Sequence, residues 1–128
     1  AQGLGGVRVE GPGLPLVMFS KHLADLSWSE LGKAVREAGF DGVDLTVRPG
    51  GHVLPERVTE DLPRAVQAIR DNGSMVAMLT TGLTRPADPA ARATFAAARA
   101  VDVRLLKAGY YRYAFKDVRR ELEAVIAD

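Results

Sequence analysis

The sequence predicts a parallel α/β fold built from four strand-helix units. Three observations carry that expectation. Short apolar runs bounded by turn residues recur along the chain, stretches with helical periodicity follow them, and the pitch is roughly 30 residues per unit, which suits right-handed crossovers between parallel strands. The chain has 128 residues, enough for one domain with a core, and its 47% hydrophobic and 26% charged content is ordinary for a globular protein.

The first 13 residues hold five glycines and one proline and are expected to form a loose arm, with residues 7–9 as an optional short strand. The opening Ala1-Gln2 fits the end left by signal-peptide removal as well as a trimmed chain, so the compartment stays open between cytoplasmic and exported. Residues 14–19 form an apolar run too short for a helix and are expected to be the first buried strand. Ser27 and Glu30 have capping-box spacing and start a helix whose apolar face carries Leu31, Ala34, Val35 and Ala38, with Gly39 as its stop. Residues 42–47 are the second strand.

The unit then repeats. A helix is expected over 60–71, with Pro63 in its first turn and Asn72-Gly73 closing it. Residues 75–80 are the third strand, 89–100 an alanine-rich helix, 103–107 the fourth strand and 115–127 the last helix. Trp28, Met75 and Met78 are expected in the core. Two architectures accommodate the pattern, an open sheet covered by helices and one half of an eight-stranded barrel; periodicity does not choose between them.

The formal charge is only +1, with both signs mixed along the chain, so no basic footprint points to nucleic acid. No apolar run approaches the ~20 residues of a membrane helix. The absence of cysteine excludes disulfides and thiolate metal sites. The expected partner is a small molecule, with no nucleic acid and no membrane.

Candidate binding residues cluster after the predicted strands, where parallel α/β folds gather their ligand loops. His22 follows the first strand and is placed either at a ligand mouth or on an exposed loop; Lys21 beside it reads as a solvated charge. Asp44 alternates with Val43 and Leu45 and so faces away from them, either to a substrate or to a structural partner such as Arg48. Arg48 offers a planar fork for a phosphate or carboxylate, and Gly50-Gly51 would let backbone N–H groups approach the same anion. The alternative for Arg48 is an ion pair that holds the loop. His52 lies on that loop as a substrate contact, a proton shuttle or a solvent-facing residue. Thr80 and Thr81 supply hydroxyls to a polyol or cap the next loop. Lys107, Tyr110, Tyr111, Arg112 and Tyr113 form an aromatic and cationic segment suited to a sugar face or to packing under a rim, with one of Tyr110 and Tyr111 expected in the core and the other, with Arg112, at the mouth.

The runs Phe19-Ser20-Lys21-His22-Leu23, Ala38-Gly39-Phe40-Asp41-Gly42-Val43-Asp44-Leu45, Arg48-Pro49-Gly50-Gly51-His52-Val53 and Gly109-Tyr110-Tyr111-Arg112-Tyr113 together resemble the sugar phosphate isomerase/epimerase family of xylose isomerase-like TIM barrels. The resemblance spans residues 14–128 and the N-terminal half of a family member. It implies four βα repeats corresponding to half of a TIM barrel, and metal-assisted proton transfer on a sugar or sugar phosphate. The candidate substrate contacts read from the residues themselves are His22, Asp44, Arg48, His52, Lys107, Tyr111 and Arg112. The divalent metal it implies (Mn, Mg, Zn or Co) takes its ligands from the family's second half, so none is expected in this chain and no catalytic residue is assigned. A half-barrel that holds a sugar or phosphate without turnover is the alternative, and an abasic-site endonuclease of the same superfamily is a third reading disfavoured by the charge. Open sheet edges lead to the further expectation of a homodimer.

Overall fold

The computed structural model describes residues 13–112 and 114–127. Apart from Gly13, the expected arm over 1–13 and its optional strand lie outside the described residues, as does Tyr113. Strands β1 (Val17–Phe19), β2 (Gly42–Val47), β3 (Met75–Thr81) and β4 (Leu106–Lys107) form one sheet in the order β1-β2-β3-β4, every pair parallel. Helices α1 (Trp28–Glu37), α2 (Val58–Asp71), α3 (Ala91–Ala100) and α4 (Val118–Ala127) alternate with them. The chain is thus four parallel βα units, the architecture of half a TIM barrel.

Side-chain alternation explains why one sheet face is a core and the other carries polar groups. Val43, Leu45 and Val47 of β2 and Val76 and Leu79 of β3 are buried against Leu31 and Val35 of α1, Leu62, Val66 and Ile69 of α2, and Ala97 and Ala98 of α3. Burying a Val, Leu or Ile stabilises by roughly 1.5–3 kcal/mol, so this face anchors the fold. The opposite face carries Phe19, Asp44, Thr46, Met78, Thr80 and Lys107, as the strand registers require. Between Val43 and Asp44 the pairing with β3 skips Ala77, and this bulge brings Met78, not Ala77, opposite Asp44.

Helix ends follow the sequence closely. Ser27 Oγ accepts from the Glu30 N–H at 3.3 Å, while Glu30 Oε2 accepts from the Ser27 N–H at 2.8 Å, completing the capping box. Gly39 and Gly73 end α1 and α2 with φ of 86° each. After α3 the left-handed residue is Asp102, at φ 58°, a stop that no glycine announces.

The boundaries differ from expectation for identifiable reasons. β1 starts at Val17 because Leu16 bonds sideways to one residue: its N–H donates to Asp41 Oδ2 and its carbonyl accepts from the Asp41 N–H, both at 2.8 Å. Leu14 is left 92% exposed. Val103 is buried but donates its N–H to Ala98 O, closing α3, so β4 shrinks to Leu106–Lys107. A 3-10 turn over Pro55–Arg57 lets α2 begin at Val58, which moves Pro63 out of the first turn and onto an exposed face. Met75 stands 45% exposed at the start of β3, and Met78 and Trp28 are half-buried.

Candidate functional site at the strand ends

The inner face of the sheet ends in a polar cluster. Asp44 lies in register with Phe19 on one side and Met78 on the other, and Thr80 is paired with Lys107 one step further along. The Thr80 hydroxyl reaches both carboxylate oxygens of Asp44, at 2.8 and 2.9 Å. Burial raises the Asp44 carboxyl above the ordinary aspartate range, and the Thr80 hydrogen bond, Lys107 and Arg48 oppose that rise. Two cations therefore flank one carboxylate without closing on it: no Arg48–Asp44 ion pair within 4.0 Å forms among the described residues.

Phe19 organises the β1 side. The His22 ring stands edge-on to it, with centroids 5.8 Å apart and planes at 89°, and the Arg48 guanidinium carbon lies 5.6 Å from the Phe19 ring centre. His22 itself is exposed on the 3-10 turn Ser20–Leu23, and Lys21 is exposed beside it. On the far side, Lys107 Nζ lies 4.5 Å from the Tyr110 ring centre.

His52 is half-buried rather than solvent-facing. Its Nε2 faces the Leu23 carbonyl at 3.2 Å, and a carbonyl only accepts, so Nε2 carries the hydrogen and Nδ1 accepts from the Thr46 hydroxyl at 3.3 Å. Thr46 Oγ1 also accepts the His52 N–H at 2.9 Å and lies 3.2 Å from Ser20 Oγ, which in turn accepts the Thr46 N–H at 3.0 Å. The Trp28 indole N–H donates to the His52 carbonyl at 2.9 Å. The two ring nitrogens thus tie the loop after β2 to Thr46 of β2 and to the turn after β1, and the His52 carbonyl ties it to α1. Gly51 completes that loop by donating to the Arg48 carbonyl at 2.9 Å, so this N–H is turned toward the loop itself.

Thr80 and Thr81 divide their tasks by strand alternation. Thr80 meets Asp44, whereas Thr81 Oγ1 donates to the Lys107 carbonyl at 2.9 Å and accepts the Leu83 N–H at 3.2 Å. Tyr111 and Arg112 border a cleft with Tyr110 and Gly82, and neither Asp44 nor Arg48 lines it. The structure thus gathers Asp44, Arg48 and Lys107 near Phe19 and Thr80, sets His22 at the edge of that group, commits His52 to a loop clamp, and gives Tyr111 and Arg112 to a neighbouring cleft. The sequence reading passed over Phe19, Ser20 and Thr46. Alternation along β2 places Thr46 on the face of Asp44, and that signal was available.

The donor set does not suit a divalent cation. Among the described residues no three His, Cys, Asp or Glu side chains come together as ligands, and the Asp44 carboxylate faces a hydroxyl and two cations. Compared with protein-family models, with curated proteins and with solved structures, the chain matches none. What stands is the architecture alone, four parallel βα units with a polar cluster on the inner face of the sheet.

Proposed function

We propose that this chain provides the substrate-holding half of a β/α barrel that isomerises or epimerises a sugar or sugar phosphate. The observation that supports this most is the Asp44, Thr80, Lys107 and Arg48 cluster at the C-terminal ends of parallel strands, where barrels bind ligands. A polyol offers hydroxyl donors to Asp44. Lys107 and Arg48 suit a phosphate or the oxygen that gains negative charge when a proton leaves the carbon beside a carbonyl. Asp44, held above the usual carboxylate range, is suited to take that proton and return it to the neighbouring carbon. A divalent ion would polarise the substrate oxygens, with ligands supplied from outside the described residues.

The test is titration of the chain with ketose phosphates and their unphosphorylated ketoses, followed by calorimetry, and by proton NMR in deuterium oxide with and without manganese. Saturable binding that weakens about tenfold in Lys107→Ala or Arg48→Ala, together with exchange of the carbon-bound hydrogen next to the carbonyl, is the expected result. Binding that persists without exchange and is indifferent to chelator supports the non-catalytic holding role instead. No binding by any ketose or ketose phosphate overturns both.

A further inference from the structure

Beyond the inner-face cluster, the molecule carries a second cavity system on its helix side. A cleft of about 420 Å³ is bordered by Arg112, Arg85, Tyr110 and Thr84, and falls within the range of small-ligand sites. It abuts an apolar slot of about 280 Å³ floored by Leu106 and walled by Ala91 and Phe95 of α3 and Val125 of α4. Thr84, Arg85, Tyr111 and Val125 border both. One end is therefore cationic and the other apolar, with Glu121 the single carboxylate among the residues that line them.

The rim is fixed before any ligand arrives. Gly109 donates its N–H to the Leu83 carbonyl at 2.7 Å, and a Cβ on Gly109 would lie 2.6 Å from the Gly82 carbonyl oxygen, so the loops after β3 and β4 touch backbone to backbone. Thr81 adds one hydrogen bond across the same seam, to the Lys107 carbonyl, and holds its own loop by accepting the Leu83 N–H. A site held this way loses little freedom when it binds. Phe95, 57% exposed, and Tyr111, 40% exposed, leave apolar surface at the slot for a ligand to cover.

We infer that this paired cavity binds a small amphipathic anion, with its aryl or short acyl body in the slot between α3 and α4 and its phosphate or carboxylate beside Arg112. Charge and shape select that class together: a bare sugar leaves the slot unfilled, and a bare inorganic anion leaves it empty. Arg112 forms no ion pair with another described residue, so its guanidinium is available to the anion. This site is separate from the one proposed for the sugar, and either can stand without the other.

The experiment is a nitrogen-15 NMR titration of the full chain with phenyl phosphate, inorganic phosphate and phenol in parallel. Phenyl phosphate is expected to bind at least tenfold more tightly than either part alone, shifting the amides of Gly82, Thr84, Ala91 and Arg112. Arg112→Ala is expected to weaken phenyl phosphate about tenfold while leaving phenol unchanged, and Ala108→Phe, at the exposed edge of the slot, to block phenol and phenyl phosphate alike. Retention of the wild-type amide spectrum elsewhere shows that both variants fold. Phenyl phosphate binding no tighter than inorganic phosphate, shifts confined to Asp44, Arg48 and Lys107, or an Arg112→Ala variant with unchanged affinity overturns the inference.

Discussion

Single side chains set the chemistry of this molecule through what surrounds them. Asp44 is held protonated more readily in the folded chain than in the unfolded one, because burial outweighs the Thr80 hydrogen bond and the two cations. Its contribution to stability is therefore fully present below the unfolded carboxyl range and is lost as pH rises through the raised folded value. Asp44→Asn is expected to raise the thermal midpoint at pH 7 and to match the wild type near pH 3, as thermal unfolding at the two pH values would show. Glu30 runs the other way: its carboxyl is lowered, chiefly by the Ser27 backbone N–H, so its contribution holds above the ordinary range and fades as pH falls. Thr46 is the other decisive residue. Thr46→Val keeps the volume but strips partners from Ser20 and His52, and is expected to cost about 1–3 kcal/mol in urea unfolding.

Elements fail where their ends or contacts fail. Removing the α1 cap by Ser27→Ala is expected to cost about 1 kcal/mol. Gly32 lets α1 lie on α2 so closely that an added Cβ would sit 2.8 Å from the Ile69 carbonyl oxygen. Gly32→Ala is expected to force the helices apart at about 1–3 kcal/mol, a larger loss than the cap, and urea midpoints of the two variants would rank them. The capping box, Gly39 and Gly73 were legible because each signal is local: a side chain bonds its own helix, or a glycine takes a conformation others resist. The short extent of β1 and β4 was not legible, because Leu16 yields to the distant Asp41 and Val103 is drawn into α3's end by Ala98. His52 shows the same limit at the site. Nothing in its local sequence says that Leu23, 29 residues away, supplies the carbonyl for its ring.

At the scale of the molecule, the sheet is covered by helices on one face and carries the Asp44 polar cluster on the other. Among the described residues β1 and β4 each pair on one side only, and exposed Leu16 and Leu105 flank them. Unpaired parallel edges template association, so the 128-residue chain is expected to self-associate as its concentration rises. Sedimentation velocity over a concentration series would measure this, and Leu16→Lys with Leu105→Glu should shift the distribution toward monomer. A single species of monomer mass at every concentration would be the contrary result. The molecule also contains its own optical reporter. Trp28 is the chain's one tryptophan, and its indole is moored to the His52 carbonyl on the loop that begins at Arg48. Any event that loosens this loop, such as the first step of unfolding, frees the indole to water, so that unlabelled fluorescence reads the state of the loop directly.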